Sequence, residues 1–354
     1  MKKIAVLLIF LAGSVLFHGQ AEAPFLTQQQ ALELGRKYVA QFYNRDVEEI
    51  WRHMSPDMRH ALGSEASLLE ISAKLQKDLG KETGVLNERV LPSLKYKVYT
   101  RLVSFESIPQ MVVQFTFSPD GEISGFFFTP ARHAAETKFL DYKPKALLSL
   151  PFYGFWTVYQ GGRSVYDNYH ALSTDERFAY DFIIIRADRQ FEGEGAKVED
   201  FFSFGRPILS PGAGTVVAAV DKYEDNVLNN LRPNVPKPGN NIVIDHGNNE
   251  FSMLAHLKRG SLRVKVGDLV QPGQEIAQAG NSGNSPIPHL HYHLQNTAEW
   301  FKGDGLPIIF YNFKSNGKTV SSGEPVKGDI VANEEIASRS APRTDRSGKK
   351  DKKK

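Results

Sequence analysis

Apolar positions recur at helical spacing in the first part of the chain. Behind Thr27, the residues Ala31, Leu32, Leu34, Tyr38, Val39 and Phe42 form a stripe that predicts a helix capped by Thr27 and running through Tyr43. Further helical segments are expected over 47–54 and 64–79, and the helical reading extends to about residue 91. After Pro92 the period drops to two. Residues 96–104 and 110–118 alternate as strands, Ser118-Pro119-Asp120-Gly121-Glu122 supplies a tight turn, and 123–128 continue the alternation. Helices followed by an antiparallel sheet define an α+β domain over 24–132.

Residues 133–151 read as a linker. From 152 to 315 the apolar runs have strand spacing: 154–159, 178–186, 214–219, 241–245, 250–257, 262–266, 275–279 and 290–295, separated by Gly, Pro, Asn and Asp. An all-β domain built on an antiparallel sheet, with long loops at one end, is the expected architecture. Past Lys314 the chain becomes rich in Gly, Ser, Lys and Glu, and 316–354 are expected to form a disordered basic tail.

Composition sharpens this picture in three places. With 354 residues, 41% hydrophobic and 23% charged, the chain has room for two cores and is neither globally disordered nor a multi-span membrane protein. The formal charge of +3 is unevenly spread: residues 339–354 hold eight Lys and Arg against two Asp, which leaves the body mildly acidic and argues against nucleic acid as a partner. Residues 1–23 combine Lys2 and Lys3, an apolar run over 4–17 and the ending Ala21-Glu22-Ala23, the layout of a secretory signal peptide. Export to the periplasm or the medium, without a lasting membrane span, is therefore expected, and a monomer is the expected state. The chain has no cysteine, so a metal would have to be held by histidines and carboxylates.

The densest chemistry lies at 280–295, GNSGNSPIPHLHYHLQ. His289, His291 and His293 alternate with Leu290 and Tyr292, so a strand would present all three imidazoles on one face. Imidazole is the commonest metal ligand and also titrates near neutral pH, so such a face suits metal binding and proton transfer. Ordinary hydrogen-bonded histidines are the competing reading. His53, His60 and His133 are scattered, and the first domain shows no cluster of reactive groups.

Four stretches of the second domain carry a family resemblance. Residues 267–276 read GDLVQPGQEI and lead through Gly280 and Gly283 to Pro288-His289-Leu290-His291; 207–217 read PILSPGAGTVV, 239–247 GNNIVIDHG and 253–257 MLAHL. Together they resemble the lysostaphin-type zinc endopeptidases, secreted enzymes that cut peptide bonds in bacterial peptidoglycan, over about residues 166–295. The resemblance implies one zinc per chain, held by His170, Asp181 and His291, with His289 as general base and His256 as a donor that stabilises the transition state. It implies peptidoglycan peptides as substrate. In the family a His precedes the Asp by four residues; here that position is Arg177, and the nearest upstream imidazole is His170, eleven residues before Asp181. His293 is given a peripheral place and His246 a structural one. The first domain, with its DGEISGFFF hairpin, resembles the cone-shaped nuclear-transport-factor-like domains, which implies a binding or spacing module.

Two other functions fit parts of the same stretch. The paired turns of 267–283 also resemble lipoyl and biotinyl carrier domains, but no lysine stands between the turns where such a domain carries its cofactor. A catalytically inactive lysostaphin-like module that binds peptidoglycan or activates a hydrolase remains the alternative, and the unusual spacing of His170 is the feature in its favour.

Overall fold

The structure is a computed structural model describing residues 25–333; the expected leader and the basic end of the chain lie outside the described residues. Thr27 opens α1 (Gln28–Tyr43) with a reciprocal cap, its hydroxyl accepting from the Gln30 amide while the Gln30 side chain accepts from the Thr27 amide at 2.9 Å. Then come α2 (Glu48–His53), α3 (Pro56–Leu62) and α4 (Glu65–Leu79). The third was not expected from the pattern, although Ser55 as cap and Pro56 in the first turn are helix-start chemistry. Gly80, at φ +74°, ends α4.

The helical reading fails beyond that point. Residues 82–93 are β1 (Glu82–Ser93), paired along its length with β2 (Tyr96–Phe105), which continues through β3 (Ile108–Phe117) to β4 (Ile123–Pro130) as an antiparallel meander. In β1 only Val90, Leu91 and Pro92 are buried, so the segment shows no strong stripe of either period and its partner strand decides its conformation. Phe42, Phe115, Phe117, Phe126 and Phe128 pack between helices and sheet as the core of this α+β domain.

The second domain is all-β apart from two short turns of 3-10 helix. Its strands are β5 (Trp156–Gln160), β6 (Tyr180–Ile183), β7 (Pro207–Leu209), β8 (Gly214–Val220), β9 (Asn240–Asp245), β10 (Phe251–Leu257), β11 (Leu269–Val270), β12 (Glu275–Gln278), β13 (Leu290–Gln295), β14 (Gly305–Leu306), β15 (Phe310–Ser315), β16 (Lys318–Gly323) and β17 (Ile330–Asn333). The main antiparallel sheet runs β11-β8-β9-β10-β13-β6-β5-β17-β15-β16, with β14 on β13, and β12 pairs with β7. Residues 262–266, expected as a strand, join no ladder; the Arg263 amide donates to the Ile276 carbonyl at 2.9 Å and the segment passes on as a loop.

The expected boundary at 315 is also corrected. Asn316 and Gly317, both at positive φ, form the two-residue turn of a hairpin, so β16 folds back on β15 and β17 inserts between β15 and β5. Ordered structure therefore reaches Asn333, whose side chain donates to the carbonyls of Leu150 and Phe152 at 2.8 and 3.0 Å.

Nor is 133–151 a loose linker. Leu148 and Leu150 are buried in the second core, and the buried Glu250 carboxylate accepts from the Tyr142 hydroxyl and the amides of Lys145 and Ala146, each at 2.7 Å. Glu250→Ala would strand three donors. We expect it to cost on the order of 3 kcal/mol, because hydrogen bonds to charged groups are the stronger kind. Urea unfolding of parent and variant measures this, and an unchanged midpoint would show that the strap contributes nothing.

Candidate metal centre

Strand register brings the first two groups together. Asp181 on β6 lies directly opposite His291 on β13, so their side chains leave the sheet on the same face, and His291 Nδ1 stands 3.0 Å from Asp181 Oδ1. His170 arrives from a 3-10 turn, Tyr169–Leu172, capped by Asn168. Buried Asn168 is the staple: its Oδ1 accepts from the His170 amide, and its Nδ2 donates to the carbonyls of Gly162 and Ala179. The last of these is two residues before Asp181. The loop is thus tied to β6, and His170 Nε2 lies 3.1 Å from Asp181 Oδ2 despite the long spacing. Arg177, in the position where a His was looked for, turns away and donates to the Ala135 carbonyl.

A second layer, missed in the sequence reading, sets the tautomers. His170 Nδ1 is 3.3 Å from Glu176 Oε2, so Nδ1 keeps its proton, and Nε2, which points at Asp181, is the nitrogen that would give up its proton to a metal. On the other side, Gln295 Nε2 donates to the carbonyls of Thr297 and Glu299, both at 2.7 Å, leaving Gln295 Oε1 as an acceptor for His293 Nε2 at 2.9 Å. His293 Nδ1 must then accept, which fixes the proton of His291 on Nε2, 3.0 Å away. His291 Nδ1 is left turned towards Asp181. His293, expected to be peripheral, is therefore part of this relay. His246 is held between the Ala213 carbonyl and the Ser252 hydroxyl, both at 2.7 Å.

Beside these groups lie two more imidazoles. His289 donates from Nδ1 to the Ile287 carbonyl at 2.9 Å, and its Nε2 is 3.6 Å from Asp181 Oδ1. His256 donates from Nδ1 to the Ser282 carbonyl at 2.8 Å, and its ring centroid is 4.7 Å from that of His289. Strict alternation would put His256 on the opposite face from its neighbour Ala255, which pairs with His291. A β-bulge between Leu254 and Leu257, with His256 at φ +60°, rotates the ring into the site. A non-glycine residue held there stores strain of about 1–3 kcal/mol.

The electrostatics favour a cation. Burial alone would raise Asp181, but the imidazoles of His170 and His289 outweigh it and hold the carboxyl well below its usual range. Burial opposes charge on His170 too, yet Asp181 and Glu176 lift it to about 10. Burial lowers His289, and lowers His256 further, so both stay neutral near pH 7.

Residues 196–303 match the model of peptidase family M23. The chain carries an M23 peptidase domain. The matched span includes His256, His289 and His291, while His170 and Asp181 precede it. Among curated proteins the chain is 37% identical over 90 residues to the peptidoglycan DD-endopeptidase ShyA of Vibrio cholerae serotype O1, covering 25% of this chain and 17% of that protein. It is 35% identical over 118 residues to ShyB of the same organism, covering 32% and 24%. The chain thus spans less than a quarter of the length of either relative. Of solved structures, the catalytic domain of lysostaphin from Staphylococcus simulans aligns at 20% identity with a TM-score of 0.26, covering 43% of this chain and 88% of that one.

The donor set fits a zinc ion. One atom each from His170, Asp181 and His291 lies within 4.8 Å of the others, and all three residues are buried. Tetrahedral ligation at about 2.0–2.2 Å requires ligand atoms roughly 3.3–3.5 Å apart. The two contacts to Asp181, 3.0 and 3.1 Å, need to open by only a few tenths of an ångström. A second group, Glu176, His291 and His293, shares His291 but uses its opposite nitrogen, which the relay has already committed.

Proposed function

We propose that this chain is an exported zinc metalloendopeptidase that hydrolyses peptide bonds of bacterial peptidoglycan. The observation that carries the proposal is the convergence of His170 Nε2 and His291 Nδ1 on a buried, ionised Asp181, with two neutral imidazoles alongside. The M23 match and the two similar peptidoglycan endopeptidases support the choice of substrate. Zinc, when bound by His170, Asp181 and His291, supplies Lewis acidity: it lowers the pKa of water towards ~7 and polarises a carbonyl. His289 Nε2 takes the proton of the attacking water. His256, neutral and with Nδ1–H tied to Ser282, offers a lone pair at Nε2 and becomes a donor to the developing oxyanion only after gaining a proton. The His256–His289 pair is therefore read as a proton-sharing unit. Glu176, His293 and Gln295 hold the ligand imidazoles in the required tautomers.

The metal-free module reading leaned on the spacing of His170, and that residue reaches Asp181. The first domain, four helices and a four-stranded sheet, we read as a nuclear-transport-factor-like module that positions substrate. Among the described residues no helix is long and apolar enough to cross a membrane.

The test is digestion of purified peptidoglycan with separation of the released peptides, before and after chelation and after zinc is restored. Products that appear with zinc and vanish without it support the proposal; metal-independent or absent hydrolysis overturns it. Loss of the relay has a separate readout. Gln295→Ala is expected to weaken zinc affinity by about 10–100-fold, the usual effect of removing an outer hydrogen-bond partner. Competition with a chromogenic chelator measures it, and unaltered affinity would show that His291 needs no help from this chain of hydrogen bonds.

A further inference from the structure

A cavity of about 580 Å3 lies between the two domains. One wall is the sheet of the first domain, including Tyr96, Val98 and Phe127; the other includes Tyr159 and Lys327 of the second. Its volume is that of a small-ligand site. It adjoins the metal centre on two sides. Tyr159 precedes Gln160, which pairs with Asp181 in the sheet and accepts from Lys327 Nζ at 3.5 Å. Asn229, also lining the cavity, donates its amide to the Pro286 carbonyl in the loop that leads to His289.

The charge of this cavity is one-sided. Its lining includes Arg89 and Lys327 and no carboxylate. Arg89 is already satisfied: it pairs with Asp167 at 2.7 Å, donates to the Lys327 carbonyl at 2.9 Å and stacks on Tyr166 at 4.1 Å. Lys327 Nζ has no carboxylate of the described residues within ion-pair distance. Burial, followed by the nearby Arg89, lowers this ammonium to about 8, so a partly desolvated cation faces an apolar cavity beside the candidate metal centre.

We propose that the inter-domain cavity is a substrate subsite, in which Lys327 binds a free carboxylate of the peptide whose bond lies at the metal centre. The inference rests on the peptidase reading and names the feature of the substrate that the chain selects. Peptidoglycan stem peptides bear such carboxylates on side chains and at their ends. The aromatic wall accommodates the aliphatic parts, and both domains are required to build the site.

The test uses the full chain and a synthetic stem pentapeptide ending in D-alanyl-D-alanine, as the free acid and as the terminal carboxamide. Calorimetric binding of both is measured for the parent, Lys327→Met and Lys327→Arg, with peptidoglycan hydrolysis followed separately. The parent is expected to bind the acid about ten-fold tighter than the amide, the worth of one charge-assisted hydrogen bond. Lys327→Met should lose that difference and Lys327→Arg retain most of it. If neither protein distinguishes acid from amide, but the parent binds both more tightly than Lys327→Met and loses that advantage on a pentapeptide whose side-chain carboxylates are amidated, the side-chain carboxylate is the group recognised. Equal binding of every peptide by all three proteins overturns the subsite while leaving hydrolysis to be judged on its own. Lys327-dependent binding without hydrolysis would keep the subsite and sink the peptidase reading. Replacement by Met keeps the aliphatic stem, and the Lys327 amide retains its bond to the Gly161 carbonyl, so the fold survives the change.

Discussion

His170→Ala is expected to leave the protein folded, without stoichiometric zinc and without hydrolytic activity above background. The expectation follows from the donor set. Three protein ligands are what a catalytic zinc ordinarily has, and removal of one leaves a buried carboxylate and one imidazole. The His170 ring also contacts Glu176 and Asp181 at once, so its loss separates the outer carboxylate from the inner one. Elemental analysis of the purified variant, with circular dichroism to verify folding, decides the matter. Retention of zinc and of parental turnover would move the first ligand elsewhere, and Glu176, which also approaches His291 Nε2 at 3.6 Å, would be the first residue to examine.

The legibility of this site in the sequence follows from how local each determinant is. The alternation of 289–293 needs only the pleat of one strand, and the three imidazoles do share a region of the structure. Asp181 and His291 meet through strand pairing across 110 residues, which a motif resemblance can suggest but periodicity cannot. Glu176 carries no signal of its own. It sits in a loop beside Arg177 whose shape depends on distant partners, among them the carbonyl eleven residues on to which the Asn168 staple donates. The His256 bulge is invisible for the same reason, since nothing in Met-Leu-Ala-His-Leu marks a residue at positive φ.

The fold divides along similar lines. Thr27, Ser55 and Ser64 all cap helices, and those capped by Thr27 and Ser64 start within a residue of the expected positions. β1 was lost because the strand is half exposed and its stability comes from the β2 ladder. The end of the second domain is hard to read because its hydrophobicity is low and turn chemistry alone marks it. Ser315-Asn316-Gly317-Lys318 is a hairpin signal that joins β15 to the largely exposed β16, while β17 is clamped between β5 and β15. Lys327 lies in the loop between β16 and β17, beyond the boundary that hydrophobicity marks.

His289→Ala separates metal binding from proton transfer. The variant is expected to retain zinc, because His289 Nε2 stands 3.6 Å from the nearer Asp181 oxygen and its Nδ1 proton is committed to Ile287. Turnover should fall by about 10²–10⁴-fold, the usual worth of a positioned acid–base group. The pH profile adds a second measurement. Burial lowers the His289 pKa, so the basic form persists below the ordinary imidazole value and the acid limb of the parent's rate profile should lie on the acid side of ~6.5. If His289 is the base, that limb disappears in His289→Ala and remains in His256→Ala. If it instead disappears in His256→Ala alone, the two imidazoles exchange roles. Their equivalent tautomers, each with Nδ1–H on a carbonyl and Nε2 open to the site, make that exchange a physical alternative that the two variants resolve. A His289 variant that is metal-free, or as active as the parent, would remove the residue from proton transfer altogether.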